Sequence, residues 1–282
     1  MPTLAEEYEI IKGLLETNPT WKNTDDLRQT VYPQIIISML GITAFFLLAI
    51  TVVKINTLKS VENREKFMYK TSYQATNFVV NMVLSILGSY FYLTTVENLH
   101  DATVQEKALG YDGIYLLSYI QLGYNLWAIP VGRFLVNESS MMLLHHVAVI
   151  ACATTCSMTS VGFGYYTPFM FGVLEISSTP LSIMNAFKDN PWLIQKYPGF
   201  YSNIRLVFAV CFLFIRWYLF FPIMLDFLRL IGMAVILFQG SLIVKALLTV
   251  TWVGSAFVLF LQAFWGSIIV KGLMKGAVKK VD

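Results

Sequence analysis

The stretch SSMMLLHHVAVIACATTC, residues 139–156, sets two adjacent histidines inside a run that is otherwise oily. The chain has 3 histidines, and His145 and His146 are two of them. The run carries no Lys, Arg, Asp or Glu, and it approaches the roughly 20 mostly apolar residues that a membrane-spanning helix needs. Neighbouring side chains on a helix stand about 100° apart. One imidazole can therefore face a cavity while the other turns toward an adjacent helix.

The rest of the chain has the same character. Its 282 residues are 56% hydrophobic and 13% charged, with mean hydropathy +0.62. A soluble domain has about 25% charged residues, so this is a membrane protein. Cys152, Cys156 and Cys211 all fall in apolar runs, where cysteine acts as a small buried side chain, and their spacing suggests no disulfide framework or zinc site. The first 30 residues contain Glu6, Glu7, Glu9, Glu16, Asp25 and Asp26 and no early apolar run, so no cleavable signal peptide is expected. No phosphate-binding loop, dinucleotide fingerprint or zinc motif is present. Membrane di-iron enzymes need many histidines, and His100, His145 and His146 are too few. No metal, resident cofactor or nucleic-acid partner is expected.

Spans are expected over 32–53, 73–95, 113–130, 141–160, 164–185, 204–225 and 246–270. The stretch 227–244 is interrupted by Gly232, Gln239 and Gly240 and ends at Lys245, which reads as an interfacial or re-entrant piece, with an eighth span as the alternative. Basic residues set the orientation. With the N-terminus lumenal, the cytosolic side collects Lys54, Lys59, Arg64, Lys66, Lys70, Arg133, Lys188, Lys196, Lys271, Lys275, Lys279 and Lys280, against Lys12, Lys22, Arg28, Lys107 and Arg229 opposite. The C-terminus is then cytosolic. It reads KKVD, so Lys279 and Lys280 match the dilysine retrieval signal of endoplasmic reticulum membrane proteins, an address read by coat proteins. An ordinary basic tail on anionic lipid is the alternative. Asn137-Glu138-Ser139 fits the glycosylation sequon but lies in a loop of the cytosolic side, so it is expected to be unmodified.

Polar residues at three- and four-residue spacing mark helix faces turned away from lipid. Four spans carry such stripes: Gln74, Asn77, Asn81 and Ser85; Ser118, Gln121 and Asn125; His145, Cys152, Thr155 and Thr159; Glu175, Ser178, Ser182 and Asn185. A shared polar cavity is the simplest packing, and hydrogen-bonded glue between helices is the alternative. Glu175 and Arg216 are costlier, because an ionised group at a helix centre costs about 2.5–3.5 kcal/mol even on the lower scales. They either pair with each other or an imidazole to fix register, or Glu175 orients or protonates a histidine across the cavity. The histidines lie about 7 Å below the cytosolic interface at a rise of about 1.5 Å per residue. An acyl-CoA thioester could reach that depth, and imidazole serves as nucleophile or base in acyl transfer.

Three short motifs resemble one family. LHHVAVI, then LEISSTP from Leu174 to Pro180, then the intramembrane Arg216 are similar to the TLC-domain proteins, named from the translocating-chain-associated protein, the yeast longevity-assurance ceramide synthases and the neuronal ceroid lipofuscinosis protein. The Glu-x-Ser-Thr-Pro element, the run Arg64-Glu65-Lys66 followed by Phe67, and the dilysine ending resemble the lipofuscinosis branch most, a branch of the endoplasmic reticulum. The resemblance implies an all-α, polytopic fold: a six-helix barrel-like bundle plus one N-terminal span, about seven spans, around a lipid-accessible cavity. Residues 1–31 would form a polar lumenal segment, 32–61 the first span and linker, 62–270 the TLC-like domain, and 271–282 the basic tail. The family's catalytic histidine pair falls on His145 and His146. The additional acidic residues of the ceramide synthases have no counterpart after Glu175, where Ser177 and Ser178 stand, so amide formation on a sphingoid base is not expected.

The resulting expectation is an endoplasmic reticulum multi-pass protein of lipid homeostasis, an acyl-CoA-dependent lipid acyltransferase that cycles to the Golgi intermediate compartment. His145, His146 and Glu175 are its candidate catalytic residues. Asn77, Asn81, Asn125, Ser178, Ser182 and Arg216 are its candidate substrate-binding residues. Acyl-CoA is the expected co-substrate, and membrane lipids and coat proteins are the expected partners. The competing reading is a non-enzymatic lipid sensor or cargo receptor. A transporter is disfavoured, because no inverted repeat is evident.

Overall fold

Apolar runs broken by few charges can satisfy their backbone in lipid only as helices or closed barrels, and this chain takes the helical solution. The computed structural model describes residues 3–18, 21–56, 64–94, 102–111 and 113–278, with side chains to residue 274. Among them there is no strand. A short helix α1 (Leu4–Thr17) begins in a capping box between Thr3 and Glu6. Then follow α2 (Thr24–Asn56) and α3 (Arg64–Thr94). The short α4 (Val104–Leu109) precedes α5 (Tyr115–Val131) and α6 (Ser140–Met158). Next come α7 (Glu175–Asp189), the short α8 (Pro191–Lys196), α9 (Pro198–Leu237) and α10 (Leu242–Val278). The dilysine Lys279 and Lys280 lies outside the described residues, as does His100.

Among the described residues five helices, α2, α3, α6, α9 and α10, are long and apolar enough to cross a membrane. The chain is thus an all-α polytopic membrane protein. The remaining two expected spans correspond to α5 and α7, which are shorter, with 17 and 15 residues, and sit among the others. Their packing closes a ring: α3 lies on α7, α7 on α9, α9 on α10, α10 on α6, α6 on α5, and α5 with its following turn returns to α3. The first span, α2, packs outside this ring against α3 and α5, while α1 rests on α4 and the later half of α9. A six-helix barrel with one extra N-terminal span is therefore the observed architecture.

One expectation is corrected. Residues 227–237 form no separate interfacial or re-entrant piece and no eighth span, because α9 runs unbroken from Pro198 to Leu237. Gly232 is tolerated inside it, with the Trp252 indole packed alongside and donating to the Leu228 carbonyl at 3.1 Å. The chain turns only at residues 238–241, and Lys245 already belongs to α10. Within α9, Pro222 lacks the amide that would bond to the carbonyl of Tyr218, and the preceding turns widen to a π-helix over Phe212–Leu219. That widened segment presents Arg216 to the barrel.

The ring is tightest where α3 crosses the π turn Phe169–Val173 that leads into α7. There Gly88 and Gly172 meet backbone to backbone, and a Cβ on either would run into the other's Cα. Close backbone approach through small residues is the usual way for helices in lipid to pack, since lipid offers no hydrophobic drive for their association.

Candidate functional site

The ring encloses a cavity of about 1320 Å³. All nine described candidates line it: His145, His146, Glu175, Asn77, Asn81, Asn125, Ser178, Ser182 and Arg216. Gln74, Gln121 and Asn185 from the same stripes join them. Its mouth lies at the end of the barrel where α5 turns into α6, and Lys188 and Arg205 stand at that rim. The outer wall is apolar, with Leu206 and Phe212 of α9 and Trp265, Ile268 and Leu273 of α10.

The stripes divide with depth. Toward the mouth they line the cavity, but farther along they become contacts between helices. Ser157 donates to Ser118 at 3.0 Å, Thr155 and Thr251 share a hydrogen bond of 2.7 Å, and Thr159 bonds back to the Thr155 carbonyl. Both the cavity reading and the glue reading of the stripes therefore apply, each to one half of the barrel.

His146 is 4% exposed and is anchored through one ring nitrogen. Its Nδ1 lies 2.7 Å from Oδ1 of Asn125. The Asn125 amide nitrogen donates to the Gln121 carbonyl at 2.7 Å, which fixes the oxygen toward the ring and assigns the proton to Nδ1. On the other side Nε2 faces Oε2 of Glu138 at 3.4 Å. That carboxylate also accepts from the Tyr73 hydroxyl at 2.9 Å. Nearby, the Tyr124 hydroxyl donates to Oδ1 of Asn77 at 3.1 Å, and its ring meets His146 edge-on.

Glu138 had no assigned role in the sequence, where it is the middle residue of the sequon. It reaches the barrel because Asn137 adopts a left-handed backbone with φ 57°, turning the chain back under the π segment Gly132–Val136. The Glu138 amide bonds to the Gly132 carbonyl at 2.8 Å. A Cβ on Gly132 would lie 2.6 Å from Oε2 of Glu138, so glycine leaves the carboxylate its place. The one sequence signal was Asn followed by an acid directly before the helix of the histidine pair.

The partners of Glu175 are not imidazoles. Its Oε1 accepts from the Gln121 amide at 3.1 Å, and its Oε2 lies 3.7 Å from the Arg216 guanidinium. Arg216 donates in turn to Ser177 at 2.6 Å, Ser178 at 2.8 Å and the Leu174 carbonyl at 3.1 Å. The LEISSTP motif is thus the socket of a buried arginine. Of the two expected arrangements the structure shows the pairing of Glu175 with Arg216, and the carboxylate that faces His146 is that of Glu138. Asn81 reaches Ser182 at 3.4 Å.

His145 is half-buried and makes no side-chain hydrogen bond through its buried Nδ1. Its ring centre stands 5.9 Å from that of His146 and 6.1 Å from that of Trp265. Both rings line the cavity, but they differ: His146 is anchored by Asn125, and His145 has no such anchor. Among the described residues no group of three or more His, Cys, Asp or Glu could hold a metal ion.

A family model described as "TLC domain" matches residues 70–271 of the chain. No curated protein and no solved structure matches it.

Proposed function

The chain belongs to the TLC-domain family, and on that premise we propose that it acts on lipids as an acyl-CoA-dependent acyltransferase of the endoplasmic reticulum membrane. The observation that carries this reading is the cavity itself: every described candidate lines it, with His146 anchored by Asn125 and lying 3.4 Å from the Glu138 carboxylate, and His145 bordering the open space. The free imidazole of His145 takes the proton of an acceptor as its oxygen or nitrogen attacks the thioester carbonyl. The C–S bond breaks, and the leaving thiolate recovers that proton from the imidazolium, so the net products are acylated lipid and CoA thiol. Glu138 opposite His146 is placed to offset positive charge on the histidine pair. Lys188 and Arg205 at the rim suit the phosphates of a CoA head left outside.

The test uses purified protein in lipid nanodiscs with labelled acyl-CoA and a broad panel of lipid acceptors. Acylated lipid is expected from the wild type and none from the His145→Ala/His146→Ala double variant. If both are equally inert, the enzyme reading falls and a lipid sensor or cargo receptor takes its place. Residence in the endoplasmic reticulum is tested separately by deleting Lys279 and Lys280. Escape of the protein to later compartments supports coat-dependent retrieval, and unchanged location removes it.

A further inference from the structure

Beneath the histidine pair the barrel narrows to a second space of about 50 Å³, lined in part by Gln121, His145, Glu175, Arg216 and Gln262. Its remaining wall is largely apolar, with Phe171, Phe220 and Met224 among its residues. Against that apolar wall stand four buried polar atoms without a hydrogen-bond partner in the protein: Oε1 of Gln121, Nδ1 of His145, and both Nε2 and Oε1 of Gln262. Gln262 is 0% exposed and Gln121 4%. Buried polar groups are nearly always paired, so a cluster of unpaired ones around a single space points to what that space takes.

The donors and acceptors select the ligand. The Gln121 amide nitrogen is committed to Glu175, so its free Oε1 accepts only. Gln262 offers the two N–H donors of its amide nitrogen and an acceptor oxygen. The occupant must therefore donate and accept within a few atoms' width. A carbonyl cannot donate, and an ammonium cannot accept. We propose that this space is a hydroxyl-binding subsite, filled by water when the barrel holds no lipid and by the alcohol group of a lipid when it does. The volume admits either, since one water needs about 10–15 Å³ on this measure. His145, Gln121, Glu175 and Arg216 line both spaces, so a lipid in the larger cavity can lower its hydroxyl into the smaller one. Under the acyltransferase reading, on which only this last role rests, that hydroxyl is the acceptor beside His145.

The experiment measures binding with no acyl-CoA present, so a protein inert in acyl transfer can still pass or fail it. Radiolabelled 1-monooleoylglycerol and its 2,3-di-O-methyl ether are titrated against the full chain in nanodiscs. Wild type is expected to prefer the alcohol by about tenfold or more, because the ether leaves the buried amides unpaired. Gln262→Leu should bring the two within about twofold of each other, while retained binding of the ether shows that the variant is folded. No preference in wild type would overturn the lipid-alcohol subsite, and ordered density in the space that Gln262→Leu removes would then assign it to water alone. A preference for the alcohol that survives Gln262→Leu would likewise overturn the assignment to this space.

Discussion

The two ends of the barrel spend their polar residues differently. At the mouth, Asn77, Asn125, His145, Glu138 and Arg205 border open space. At the opposite end the polar groups close on one another. Asp226 of α9 accepts from Lys107 at 2.8 Å, from Tyr166 at 2.7 Å and from Arg229 at 2.7 Å, and Arg229 also pairs with Glu7 of α1. Above them Gly88 and Gly172 press two backbones together. A closed end can hold the ring rigid while the open end carries a ligand, much as binding sites sit on scaffolds that do not need them for stability.

Substitutions should separate the two ends. The largest effect is expected for Gly172→Leu, which drives a side chain into the backbone of α3. Overpacking typically costs about 1–3 kcal/mol, and here neither backbone can yield, so the folded peak in detergent size-exclusion should disappear. Asp226→Ala leaves Lys107 and Arg229 without their shared acid. Breaking a buried pair costs about 3–5 kcal/mol, but the Arg229 side chain is 36% exposed, so a loss of about 2–3 kcal/mol is expected from chemical unfolding. An unchanged unfolding midpoint would show that the cluster is not what closes that end.

At the mouth the pattern reverses, with function lost and the fold kept. Glu138→Gln should lower acyl transfer by about tenfold to a hundredfold, equivalent to about 1.4–2.7 kcal/mol in the barrier, with little change in unfolding. A shifted pH profile of the remaining activity would distinguish loss of charge beside His146 from simple misplacement. The smallest effect is expected for Thr155→Val, which removes one hydrogen bond between α6 and α10. Such bonds in membranes average about 0.6 kcal/mol, and ligand binding should not change.

Much of this was legible in the sequence. The stripes through Asn77, Gln121 and Ser178 identify the inward faces because their spacing is that of a helix in lipid. The cost of an ionised group at mid-span likewise marks Glu175 and Arg216, though spacing could not choose their partner. Glu138 was illegible because its position depends on one left-handed residue, Asn137, and on the room left by Gly132. Residues 227–244 misled because glycine and glutamine read as breaks. Gly232 instead packs against Trp252 inside a continuous helix, and only Gln239 and Gly240 mark a real turn.

The contrast between an open and a closed end is tested most directly by thiol labelling in membrane vesicles. In a background with Cys152, Cys156 and Cys211 replaced, Ser178→Cys and Thr155→Cys are each exposed to a small water-soluble methanethiosulfonate. Ser178→Cys should react, and more slowly once a lipid ligand fills the cavity, while Thr155→Cys stays protected until the protein unfolds. Equal rates at the two positions, or faster reaction at Thr155→Cys, would contradict the account.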